Sequence, residues 1–185
     1  MRKQNIIFIF LIEALSVTTT FCQNKNEKLI SIRKIVQEIN KDTSLKSIKL
    51  ENEEFLEQAL DGGGSLTGYF NGDSLVKITE WVGLSFGSKQ FEYYFKKEKL
   101  VFVYATEKHF RYNDSLQTLD QTKLELTYEG RYYFANEKLF DSKTSVIGAW
   151  DEPKILSQSL VETANKYLQL LKKKKNNTRT LPASH

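Results

Sequence analysis

Acid–base chemistry on this chain would have to come from carboxylates. Glu80, Glu92, Glu107, Glu125 and Glu129 fall on or near segments that read as strands, and two carboxylates facing each other across a sheet can serve as general acid and base. Solvated strand faces carry the same residues, and nothing in the local sequence raises their pKa values. Imidazole chemistry rests on His109, because the second histidine, His185, is the last residue. Its surroundings, "EKHFRY", hold no nucleophile signature of the Ser-His-Asp or Cys-His kind, so it reads as a strand-end or loop-edge residue. Cys22 is the single cysteine. Neither a disulfide nor a His/Cys metal site is expected, and no cofactor is implied.

"DGGGSLTG" (61–68) has the glycine content of a phosphate loop. It lacks the Lys-Ser/Thr that follows such a loop, and a strand pattern comes next, so no helix N-terminus waits for an anion. It also departs from the nonapeptide calcium pattern. A turn admitting the chain to a sheet is the expected role.

The more specific signal is a row of tyrosines, Tyr69, Tyr94 and Tyr133, with Arg131 and Glu129 close to the last. Tyrosine and arginine are enriched in binding hot spots, and a phenol can stack on a sugar or peptide while its hydroxyl hydrogen-bonds. Tyrosine also suits half-buried strands for packing reasons alone. These five residues are the candidate ligand-binding set; no catalytic residue is assigned.

What positions the row is a phrase written three times: "TGYFNGDSLVKI" (67–78), "EYYFKKEKLVFV" (92–103) and "RYYFANEKLFD" (131–141). Phe70 and Leu75, Phe95 and Leu100, and Phe134 and Leu139 are each five apart, with polar turn residues between. A fold-back there sets each Phe opposite its Leu on adjacent antiparallel strands, on one face of the sheet. Parity then turns each preceding tyrosine to the other face, beside Val76, Val101 and Phe140. In "KLELTYEGRYYF" (123–134) the face carrying Lys123, Glu125, Thr127, Glu129, Arg131 and Tyr133 is the wetter one. The phrase is similar to MORN-type repeats in setting an aromatic pair before a turn and a return strand. It lacks that family's regular period and glycines, and no function is carried over from it.

Two amphipathic helices flank the strands. Leu29, Ile32, Ile35, Val36 and Ile39 form one stripe over about 26–41. The second helix is expected to start after Asp151, with Pro153 in its first turn and a stripe of Leu156, Leu160, Ala164, Tyr167, Leu168 and Leu171. "NEEFLEQAL" (52–60) reads as a further short helix capped by Asn52, or as an edge strand. "HFRYNDSLQTLDQT" (109–122) is the longest stretch without periodicity and the expected mobile segment. The expectation is one α+β domain over 23–175. It comprises an antiparallel meander of about six strands in three hairpins, with both helices on the Phe–Leu face.

The ends suggest location. "RKQN" (2–5), then "IIFIFLI" (6–12) and "ALSV" (14–17), has the order of a secretory signal over residues 1–22, too interrupted for a transmembrane helix. Phe21 argues against lipidation at Cys22, and simple cleavage before or after it is expected. Removing 1–22 takes away Arg2, Lys3 and Glu13, lowering the formal +4 by one. Most of the remaining excess is "KKKK" (172–175), ahead of the polar tail 176–185. No aromatic residue interleaves these lysines, so no nucleic-acid partner is expected. The function expected from all this is an exported, periplasmic or secreted, non-enzymatic binding domain. Its partner would be a protein, peptide or glycan of the cell envelope, met on the tyrosine side. The alternatives are a secreted hydrolase using strand carboxylates, or an inhibitor or immunity protein inserting 109–122.

Overall fold

A computed structural model describes residues 24–180 other than 57, 59 and 149; the expected signal segment lies outside the described residues. Helix α1 covers 24–41. Seven strands follow: β1 (Lys46–Glu51), β2 (Gly64–Asn71), β3 (Ser74–Leu84), β4 (Gly87–Lys96), β5 (Lys99–Asn113), β6 (Thr118–Ala135) and β7 (Lys138–Val146). Helix α2 (Ser157–Thr180) closes the described chain. The strands pair in sequence order as one antiparallel meander, the α+β architecture expected. The extra strand is β1, whose Ile48 and Leu50 alternate with exposed Ser47, Lys49 and Glu51 at the sheet edge. Among the described residues no helix is long and apolar enough to cross a membrane.

The repeated phrase forms three hairpins. Phe70 faces Leu75, Phe95 faces Leu100 and Phe134 faces Leu139. The turns are two residues long: Gly72-Asp73, Lys97-Glu98 and Asn136-Glu137. In the last two both central residues have positive φ (50° and 63°, 51° and 60°), the backbone hand that matches strand twist. One step inward each hairpin carries a β-bulge. Val76, Val101 and Phe140 are the extra residues, so Tyr69 faces Lys77, Tyr94 faces Phe102 and Tyr133 faces Asp141. The expected partners of the tyrosines are therefore displaced by one. Spacing alone carries no sign of an inserted residue, whereas the bulge adds the local twist that lets a long sheet coil.

The Phe–Leu face forms the larger core with Leu160, Ala164, Tyr167, Leu168 and Leu171 of α2. The second turn residue of each of these three hairpins is an acid, and α2 holds each one. The Asn165 amide donates to Glu137, Lys172 pairs with Glu98, and Lys175 pairs with Asp73 at 3.0 Å. The first two of these turns lie two strands apart, about 9.5 Å, close to the rise of the seven residues from Asn165 to Lys172. The lysine run is thus the part of α2 that reaches the turns, with Lys174 pairing Glu54 at 2.6 Å. Residues 176–180 of the expected tail continue the helix.

Helix α1 does not join α2. Leu29 and Ile32 pack with Tyr94, Phe102 and Tyr133 on the opposite face, supported by Val36 and Ile39. The sheet is therefore covered on both sides. Periodicity assigns α1 an apolar stripe but not a face, and the tyrosine side is apolar enough to receive it because its rings sit in register with Phe102. Lys25 to Asp141 (2.6 Å) and Lys77 to Asn40 (3.0 Å) tie the two ends of the helix to the sheet.

Three other segments depart from expectation. Asn52–Glu54 is a single 3-10 turn rather than a helix, because the Asn52 carboxamide oxygen accepts from the Gly64 amide at 2.7 Å and holds the entry to β2. The triple glycine serves that entry: a Cβ on Gly62 would lie 2.6 Å from the Gly83 Cα, so only glycine allows the two backbones to meet. Residues 151–156 run as a non-helical strap before α2. Segment 109–122 is no loose loop: Phe110 pairs Leu124 and Tyr112 pairs Leu119 in a ribbon projecting past β4 and β7, with its turn at 114–117.

Candidate functional site

The registers assemble three cross-strand rows on the α1 face. The first is Tyr69, Lys77, Tyr94, Phe102, Tyr133 and Asp141. The second is Thr67, Thr79, Glu92, Tyr104, Arg131 and Lys143, and the third Ser65, Trp81, Gln90, Thr106, Glu129 and Ser145. All five candidate residues thus share one face.

They do not share one exposure. Tyr94 and Tyr133 are 1% and 4% exposed, so the expectation of tyrosines bare on the wetter side is corrected: α1 lies on them. Tyr69 is half-buried at the β2 end, where the Lys77 ammonium lies 5.9 Å from its ring centre. Arg131 and Glu129 form an ion pair beside Tyr104, whose hydroxyl donates to Glu129 at 3.0 Å.

Between α1 and the second row lies a cleft of about 380 Å³, within the size range of small-ligand sites. Phe102, Tyr104 and Tyr133 supply aromatic surface, α1 contributes Arg33, Gln37 and Asn40, and the sheet contributes Glu92 and Arg131. The Arg131 guanidinium lies 5.2 Å from the Tyr104 ring centre, and that of Arg33 lies 5.9 Å from the Tyr133 ring centre. Each cation thus stands over an aromatic face. The Tyr94 hydroxyl is 2.6 Å from Glu92 and 3.0 Å from the Asn40 oxygen. Its single proton goes to the nearer carboxylate, and Lys77 supplies donors to Asn40 and, at 3.2 Å, to Glu92. Burial first, then the Glu92 charge, pushes the Tyr94 phenol far above its ordinary range; burial and Glu129 push Tyr104 up as well. Both phenols stay protonated near neutral pH and act as fixed donors.

Three of the five candidates, Tyr94, Tyr133 and Arg131, line this cleft, while Glu129 sits behind Arg131 and Tyr69 lies at the far end of the row. Sequence reading missed Tyr104, Phe102, Arg33 and Asn40. Tyr104 carried no readable signal, since alternation from Leu100 puts Phe102 and Tyr104 on the Phe–Leu face and only the bulge at Val101 moves them to the α1 face. Arg33 and Asn40 carried none, because their relevance depends on where α1 docks.

The other strand carboxylates separate. Glu80 lies on the α2 face, where its carboxylate accepts from the hydroxyls of Tyr93 (2.9 Å) and Tyr167 (2.8 Å) at the base of a cavity of about 470 Å³. Burial raises its pKa against the opposing effect of the two phenols. Glu107 lies on the same face beside His109 (2.6 Å) and Lys89 (3.0 Å). Burial opposes its ionisation, but the hydrogen bonds from His109 and Lys89 together hold its pKa low. His109 packs edge-on to Trp150 and Phe86, with ring centres 4.1 and 5.0 Å away. Glu125 is on the projecting ribbon near Arg111. Among the described residues no group of three or more His, Cys, Asp or Glu side chains is placed to hold a metal ion.

Comparison of the chain with protein-family models, with curated proteins and with solved structures found no match.

Proposed function

We propose that this protein is an exported, non-enzymatic binding domain, periplasmic or extracellular, which seats a small ligand between α1 and the tyrosine face of its sheet. The observation that carries the reading is the cleft itself: an aromatic floor already packed by α1, rimmed by charged groups that converge from α1, β4 and β6. Such an arrangement supplies contact area at small ordering cost, because the floor is rigid before a ligand arrives. The basic start and apolar run of residues 1–22 support export. A fragment screen read by backbone amide shifts tests the site. Perturbations centred on Asn40, Glu92, Tyr104 and Arg131 are expected; hits confined to the opposite face, or none in the cleft, would end the proposal.

The alternative is a hydrolase on the α2 face. What favours it is one carboxyl held high and another held low on the same face, Glu80 and Glu107, the division that acid–base chemistry uses. Loss of a measured hydrolytic activity in Glu80→Gln with the fold intact would support it, and binding in the α1 cleft by a catalytically silent protein would oppose it.

A further inference from the structure

Resting on the cleft reading above, we infer that the ligand is a small monoanion, a carboxylate attached to a flat apolar body. The argument is a balance of charges inside the cleft. Glu92 is met by Lys77 at 3.2 Å and by the Tyr94 hydroxyl at 2.6 Å. Arg131 is held by Glu129, which also receives the Tyr104 hydroxyl. The remaining charge on the lining is the Arg33 guanidinium, which is exposed and has no carboxylate among the described residues within ion-pair distance. One positive charge is thus left over, above aromatic rings.

A guanidinium's planar fork matches a carboxylate two bonds at a time. Arg131, paired with Glu129, lines the same opening from the sheet. A dianion such as a phosphate monoester would face one uncompensated cation and the nearby charges of Glu92 and Glu129, which disfavours it. The apolar body follows from the ring left open: Phe102 and Tyr133 are buried under α1, while the half-buried Tyr104 ring lines the cleft, which suits a flat ring more than a hydrated chain.

The experiment uses four probes with a similar ring and different heads: phenylacetate, phenylacetamide, phenethylamine and phenyl phosphate. Binding to the protein spanning residues 23–185 is measured by amide shift titration. Phenylacetate is expected to bind in the cleft about tenfold more tightly than phenylacetamide, and phenethylamine more weakly than either. Arg33→Gln should reduce phenylacetate affinity to the level of phenylacetamide. Lys34→Gln, which removes a cation already paired with Glu38 on the same helix, should not. If phenylacetamide binds in the cleft as tightly as phenylacetate, the cleft stands as a site and the anion assignment fails. Tighter binding of phenyl phosphate overturns the monoanion, and binding of none of the four in the cleft overturns the cleft with it.

Discussion

Replacing the three phrase tyrosines by alanine should split them into two classes. Tyr94 is 1% exposed and Tyr133 4%, each held between α1 and Phe102, whereas Tyr69 is half-buried beyond the helix. Truncating a fully buried aromatic ring costs about 3–5 kcal/mol through lost transfer energy and the cavity left behind. In a domain of this length each kcal/mol moves Tm by about 2–4 °C. Tyr94→Ala and Tyr133→Ala should therefore lower Tm by about 6–20 °C, and Tyr69→Ala by only a few degrees, for about 1 kcal/mol. Tyr94→Phe isolates the hydroxyl: the ring stays, the donor to Glu92 goes, and about 1.5 kcal/mol is lost. Urea unfolding followed by circular dichroism measures all four, with an unchanged m-value needed to assign the difference to the native state. If Tyr69→Ala cost as much as Tyr94→Ala, or if Tyr94→Ala lay within 0.5 kcal/mol of wild type by order of magnitude, α1 would not be seated on this face and the cleft would not exist.

Three further outcomes are expected. Burial gives Glu80 a folded pKa above its unfolded value, so its contribution to stability is complete below the ordinary carboxylate range and is lost as pH rises through the raised value; Glu80→Gln should flatten that decline in urea midpoints taken from pH 3 to pH 8. Gly62→Ala, whose methyl group would meet backbone 2.6 Å away at Gly83, should cost about 1–3 kcal/mol, measured by urea unfolding. Lys97→Asn should stabilise by about 0.5–1 kcal/mol, seen as a raised Tm, because residue 97 sits at φ +50° where asparagine is better tolerated than lysine; no change would mean that the turn holds no such strain.

The Phe–Leu pairings could be read from the chain because they depend only on symmetric fold-back about a short turn, a local matter of counting. So could the stripe of α1 and that of α2 from Leu160 onward, which need nothing beyond a period of 3.6; Leu156, expected to open the second stripe, lies ahead of the helix and is exposed. The bulges at Val76, Val101 and Phe140 could not, and they break the alternation of their own strands: Leu75 and Ile78, like Leu100 and Val103, are three apart yet share the α2 face. The site was half legible for the same reason: Tyr94, Tyr133, Arg131 and Glu129 were placed on one face by parity, while Tyr104 reaches that face only through the bulge at Val101.

By itself the chain determined the hairpins, the faces of the Tyr-Phe pairs before each turn and the existence of two covering helices, because alternation and turn chemistry act over a few residues; Phe102, beyond the bulge, lies on the face opposite to the one alternation gives it. Only the tertiary structure decided that α1 and α2 take opposite faces, that the acidic turn residues meet Asn165, Lys172 and Lys175, and that Arg33 comes to rest over Tyr133. Those outcomes depend on how buried surfaces match across segments far apart in sequence, and no local period carries that information.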